Sequence, residues 1–235
     1  EAQRNKEELT ELEKAVIGAH FVNMISGIGR LCYRSDKGMM PVCPYFLEDD
    51  IPDEKQATGG SGKSIIVKLV VGSAVHVLDI DMKRMEHIND ARFVLGNLLS
   101  EPFKYRVLHW EDKQKGFPMK YFYNMVTTGL TIEKKNVDQE LVPLKDAPKH
   151  VITCNYPLSD DEDTTVGRFP LVSFSNRFAR ANPQKRKAAR LMSALMKNFS
   201  DKPEEIDDTD RNQAIYLCAL AVQFLMRYHT FAIAP

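Results

Sequence analysis

The stretch Ala57-Thr58-Gly59-Gly60-Ser61-Gly62-Lys63-Ser64, followed at once by the apolar run Ile65 to Val71, holds the residue types best suited to chemistry in this sequence. A phosphate chain bears several charges. Clustered glycines let a backbone wrap it closely enough for successive N–H groups to point at its oxygens. Gly59, Gly60, Ser61 and Gly62 would form that cradle. The apolar run predicts a helix whose N-terminal dipole faces the same anion, with Lys63 reaching the β- and γ-phosphates and the Ser64 hydroxyl available to Mg²⁺. The usual pattern has glycine first, where this chain has Ala57. A Gly-Lys-Ser after a glycine cluster is also found in ordinary turns, so the rest of the chain decides.

A second constellation lies downstream. Tyr105-Arg106-Val107-Leu108-His109-Trp110 reads as a mostly apolar strand that runs into Glu111 and Asp112. In an α/β sheet, ligands sit beyond the carboxyl ends of the strands, where these two acids would lie. One carboxylate can hold the Mg²⁺ shell while the other orients or deprotonates an attacking water. Adjacent acids after a strand are also common turn residues. Lys149 to Asn155 is another apolar strand with a polar end. Asn155 lies at the same presumed edge, although a residue two before Pro157 can equally be a turn former.

Such groups need a scaffold, and the composition supplies one. With 235 residues and 43% apolar content, the chain can bury a sizeable core. Its 32 basic and 32 acidic residues cancel, so no overall field draws it to nucleic acid or to an anionic membrane, and any DNA contact must be local. The four cysteines, Cys32, Cys43, Cys154 and Cys218, form no C-x-x-C pair and read as reduced structural thiols. The longest apolar stretch, Ala214 to Met226, is interrupted by Gln223 and too short to span a bilayer. With no signal peptide, the expected location is cytoplasmic, in a bacterium or a viral host. A start at Glu1 suggests a piece of something longer.

Glu7 to Cys32 has helical spacing and predicts one or two helices. Tyr33 to Lys55, with prolines and the acids Glu48, Asp49, Asp50, Asp53 and Glu54, reads as a connector whose acidic cluster is solvated. Ala74 to Leu78 predicts a short strand, Met82 to Leu99 a mostly helical stretch, and Phe117 to Thr128 a helix ended by Gly129. Leu130 to Asn136 and Glu140 to Leu144 read as the arms of a hairpin with a basic near-tip. Asp160 to Thr165 is an acidic loop, followed by Arg168 and a strand over Pro170 to Phe174. Two helical patterns close the chain, Gln184 to Phe199 and Arg211 to Phe231, the latter apolar on most faces and expected to be buried.

The order of phosphate loop, Trp110-Glu111-Asp112, Thr131-Ile132-Glu133-Lys134-Lys135-Asn136, Thr153-Cys154-Asn155 and Arg168 resembles the superfamily 3 helicases. These are hexameric AAA+ helicases of small DNA viruses, phages and plasmids, and of poxvirus-type primase-helicases. The likeness covers roughly Ala57 to Phe178. It implies an α/β fold, a three-layer P-loop NTPase (AAA+) core over residues 47–180, with a helical segment over 1–46 before it and another over 181–235 after it. It implies that Lys63 and Ser64 act on phosphate and Mg²⁺, that Glu111 and Asp112 form the acidic pair, and that Asn155 positions water against the γ-phosphate of ATP. Lys134, Lys135 and Asn136 would lie on or near a hairpin gripping DNA in a central channel, and Arg168 would be an arginine finger donated to a neighbouring subunit. Taken without the family, Arg168 reads as a surface arginine, and Lys134 and Lys135 as edge-strand lysines that discourage aggregation.

The activity implied is ATP-driven translocation on single-stranded or forked DNA as a homo-hexamer, 3′ to 5′, with a primase domain possible upstream. Two other classes remain. One is an AAA+ module that loads or remodels replication proteins without unwinding. The other is a small P-loop kinase, which would work as a monomer and has no use for the Lys-Lys hairpin.

Overall fold

A computed structural model describes residues 10–34, 39, 41–49, 61–83, 85, 95–96, 105–133, 138–158, 167–175 and 208–228. Among the described residues, five strands make one parallel sheet: β1 (Tyr45–Asp49), β2 (Val77–Asp81), β3 (Val107–Glu111), β6 (Lys149–Cys154) and β7 (Leu171–Ser175). Their order across the sheet is β2-β3-β6-β1-β7, so the first strand in the sequence lies between the last two. β4 (Gly129–Ile132) and β5 (Glu140–Pro143) pair separately as an antiparallel hairpin with Thr131 opposite Leu141.

β3 and β6 are central and covered on both faces, which is why they read as near-continuous apolar runs. Side chains alternate across the sheet and divide the core in two. Tyr45, Leu108, Trp110, Ile152 and Cys154 face a cluster with Met119, Phe122 and Val126, the last two from α4 (Lys120–Thr127). Phe46, Val107, Val151 and Val172 face the opposite cluster. That cluster is closed by α1 (Glu11–Cys32), by α5 (Asp208–Tyr228), and by the helical run that follows the glycine cluster. The run comprises α2 (Lys63–Ile65), a π-helical segment (Ile66–Val71) and α3 (Gly72–Ala74). Helices on both faces of a parallel sheet give the three-layer α/β fold expected.

The connector expected over Tyr33 to Lys55 is corrected here, because it contains β1. Tyr45 to Leu47 is a short apolar run between prolines and acids, too short to announce a strand by pattern alone. Pairing to β6 on one side and β7 on the other makes it one. The strand expected at Ala74 to Leu78 forms further on, at Val77–Asp81, because Gly72 to Ala74 still belongs to the helical run.

α5 forms where expected but is not buried on most faces. Cys218, Ala221 and Leu225 make a narrow inward stripe, while Tyr216, Leu220 and Met226 are exposed. It lies outermost in its layer, crossing α1 so closely that a Cβ on Gly29 would collide with the Ala221 carbonyl. Near that crossing, the neighbouring Cys218 and burial push the Cys32 thiol pKa up, and the Cys218 thiol donates to Val70 O at 3.3 Å. All four cysteines are free. α1 is long and apolar enough over Lys14–Cys32 to cross a membrane by composition. Its inward face, with Ile25, Ile28 and Leu31, packs into the core. Most of the helical stretch expected at Met82 to Leu99, the acidic loop at Asp160 to Thr165 and the helix at Gln184 to Phe199 lie outside the described residues.

Candidate nucleotide site

The glycine cluster enters its helix through Gly62, whose φ of 94° is open to glycine and strained for other residues. Ser61 and Lys63 are buried and Ser64 is half-buried in the first turn. Lys63 Nζ donates to Ser61 Oγ at 2.8 Å, to Asn155 Oδ1 at 2.8 Å and to Glu48 Oε2 at 3.0 Å. Glu48 sits near the carboxyl end of β1, and Asn155 follows the carboxyl end of β6. The two strands are neighbours, so their ends deliver both groups to one lysine. Ser61, Lys63 and Asn155 are thus brought together; Gly59 and Gly60 lie outside the described residues.

A second polar cluster occupies the same face. Glu111 Oε2 accepts from Lys68 Nζ at 2.8 Å, and Asp79 Oδ2 lies 3.8 Å from the same ammonium. Lys68 comes from the π-helical segment, a distortion that recurs at functional sites. Burial opposes its charge, but the bond it donates to Glu111 and the charges of Asp79, Glu111 and Asp112 outweigh burial and hold its pKa above the usual lysine value.

His109 is fully buried between Asp79 and Thr153, with Nδ1 2.6 Å from Asp79 Oδ1 and Nε2 3.0 Å from Thr153 Oγ1. The Nδ1–H tautomer would donate to Asp79 and leave Nε2 to accept the Thr153 hydroxyl. This chain ties β2, β3 and β6 together just behind Asn155. Ligand atoms of Asp79, His109 and Glu111 lie within 4.8 Å of one another, the spacing of a cation site. The Lys68 ammonium already answers the two carboxylates.

The acidic pair separates. Glu111 keeps the strand's alternation and faces the helical run that follows the glycine cluster, whereas Asp112 has φ 55° and turns off the strand to pair with Lys83 Nζ at 2.6 Å. Hydrogen bonding to Asp112, followed by its charge, raises the Lys83 pKa.

Arg168 lies elsewhere. It precedes β7, its carbonyl accepts from Cys43 N, and its guanidinium stands 4.9 Å from the Tyr123 ring. That is the amino edge of the sheet, and a five-residue strand spans about 17 Å. Arg168 therefore cannot reach the Lys63 cluster of its own chain. The hairpin arms are in place, while Lys134, Lys135 and Asn136 lie outside the described residues.

Sequence reasoning missed Glu48, Lys68, Asp79, His109 and Thr153. A phosphate loop follows a strand, so a search for that strand upstream would have found Tyr45-Phe46-Leu47 and, with it, Glu48. His109 stands two residues before Glu111 and Thr153 two before Asn155, which places each pair on one face.

No protein-family model matches the chain. No curated protein matches it either. Among solved structures, it is similar to an apo form of the NrS-1 C-terminal region, at 14% identity and a TM-score of 0.45, covering 92% of this chain and 46% of that one. It is also similar to JCV helicase, at 13% identity and a TM-score of 0.44, covering 94% of this chain and 61% of that one. The chain therefore spans between about half and three-fifths of these structures' length. The fold is carried by the strand order and the two-sided core described above.

Proposed function

We propose that this chain is the ATP-hydrolysing core of a DNA helicase that translocates on single-stranded or forked DNA as a homo-hexameric ring, 3′ to 5′ by resemblance. The observation that carries the reading is Lys63, at the start of the post-loop helix, meeting Asn155 at the end of β6 on the carboxyl edge of a parallel sheet. Lys63 would bind the β- and γ-phosphates of ATP, and Gly59, Gly60, Ser61 and Gly62 would wrap them. Asn155 would orient water against the γ-phosphate, and Glu111 would accept its proton. Ser64, Glu111 and Asp112 offer the hard oxygen donors that suit Mg²⁺, which would neutralise charge on the phosphate oxygens. Arg168, out of reach of its own site, would serve a neighbour's.

The β4–β5 hairpin separates a helicase from a kinase. It is inserted in sequence between two strands of the main sheet, and Lys134, Lys135 and Asn136 stand in the sequence between its two arms. A chain of zero net charge has no long-range pull on DNA. Grip must then come from a few lysines repeated around a ring, each neutralising a phosphate. ATP hydrolysis measured with and without single-stranded DNA tests the reading. Stimulation by DNA is expected, and Lys135→Ala should remove it while basal hydrolysis stays near the parental rate. The log–log salt slope of DNA binding should fall by about 0.7 per lost contact. An ATPase indifferent to DNA would favour an AAA+ loading or remodelling module, located like the helicase in the cytoplasm.

A further inference from the structure

An ammonium group has three N–H donors. In Lys63 all three are engaged, by Ser61, Asn155 and Glu48, so none is left to meet a phosphate. One contact must be given up when an anion enters. Ser61 and Asn155 are neutral and can share the lysine with a phosphate oxygen. Glu48 cannot do so at low cost, because its carboxylate and the phosphate would crowd one cation away from water, where like charges repel strongly. The Lys63 and Glu48 side chains are only 7% and 2% exposed, so solvent screens little of this competition. Nor can the backbone of Glu48 withdraw, since it is held in register opposite Phe174 of β7.

We propose that Glu48 is a positioning residue of the nucleotide site: it holds Lys63 against the sheet in the unliganded protein, and a nucleoside polyphosphate binds by displacing it. The proposal rests on the phosphate-loop reading of Ser61 to Ser64. Nucleotide affinity is then set by a contest between two anions for Lys63, and Glu48 keeps it low. An amide in place of the carboxylate preserves shape and an acceptor for Lys63 while removing the competing charge.

The test is calorimetric titration of the full chain and of Glu48→Gln with ADP, once with Mg²⁺ and once with EDTA, together with KM and kcat for ATP. Glu48→Gln should bind ADP about tenfold more tightly in both conditions, equivalent to 1.4 kcal/mol. KM should fall without a rise in kcat, a split that loss of a merely structural contact would not give. If the parent binds and Glu48→Gln binds equally or more weakly, the displacement idea is overturned and the phosphate-loop reading stands. Weakening confined to the Mg²⁺ titration would assign Glu48 to the metal instead. If neither protein binds ADP, the phosphate-loop reading falls and the proposal falls with it. Should Glu48→Gln be too unstable to assay, Glu48→Asp replaces it. Its carboxylate is one methylene shorter and loses the 3.0 Å contact, so a gain of about threefold is expected, and no gain overturns the proposal.

Discussion

Replacing Lys63 with alanine is the obvious way to disable a phosphate loop, and from the sequence it should leave the fold untouched. The structure gives a different expectation. Removing Lys63 strands the Glu48 carboxylate, whose side chain is 2% exposed and loses the only cation paired with it among the described residues. Breaking one side of a buried pair costs about 3–5 kcal/mol, against a total stability of roughly 5–15 kcal/mol for a typical protein. In a chain of this size each kcal/mol moves Tm by about 2–4 °C, so Lys63→Ala should melt roughly 10 °C below the parent.

The matching double variant, Lys63→Ala with Glu48→Gln, removes the stranded charge. It should recover most of the lost stability and none of the hydrolysis. Urea unfolding followed by fluorescence measures the cycle directly. Trp110 is the only tryptophan, is fully buried, and packs edge-on to Phe122 at 5.2 Å between ring centroids. A coupling free energy of about 2 kcal/mol or more between the two positions is expected. A cost below about 1 kcal/mol for Lys63→Ala, with additive single effects, would refute the buried pair. Loss of ATPase in that variant could then be read as loss of chemistry alone.

The remaining predictions concern charge and partnership. His150 is buried, and burial first, with Lys149 second, holds its pKa at about 4, below the usual 6.5. Between those values the unfolded chain takes up a proton that the native chain refuses, so stability is complete above pH 6.5 and falls by about 3 kcal/mol as pH drops to 4. His150→Asn should flatten that slope relative to the parent in urea titrations, and parallel slopes would contradict it. Glu111→Gln should bind ATP yet hydrolyse it at least about 10²-fold more slowly, as measured by phosphate release. Arg168→Ala should also bind ATP while losing about 10³–10⁵ in rate. Mixing these two variants should restore some sites with a sound Glu111 on one side and a sound Arg168 on the other. No recovery in co-assembled mixtures would mean that Arg168 is not shared between subunits.

What the sequence disclosed and what it hid follow from one distinction, between local pattern and pairing. β3 and β6 were legible because both faces of each are buried, which leaves an unbroken apolar run ending in Glu111 or before Asn155. The hairpin was legible because its two arms are near neighbours in the chain. β1 was not, because its partners are Ile152 to Cys154 and Leu171 to Ser175, far along the chain. Glu48 was hidden with it: among Asp49, Asp50, Asp53 and Glu54 it has the composition of a solvated loop. α5 misled in the opposite sense. Its apolar residues run around the helix, but only the stripe through Cys218, Ala221 and Leu225 finds a partner.

Once β1 is placed, strand alternation alone assembles the site. On the face toward the helical run after the glycine cluster, Phe46, Val77, Val107 and Val151 are apolar anchors in the cluster with Val67, Val70 and Val71. Two residues further along each strand, the same face carries Glu48, Asp79, His109 and Thr153. Each of these four strands thus changes from packing to chemistry as it nears the carboxyl edge. β7 keeps Val172 and Phe174 apolar on that face and contributes no polar group to the cluster. A one-residue slip of β1 would turn Glu48 into the opposite core, among Trp110, Phe122 and Phe169, and bring Leu47 to Lys63. The buried pair therefore depends on the register of β1 as much as on its own charges, and Lys63 meets the Glu48 carboxylate only when that strand is correctly paired.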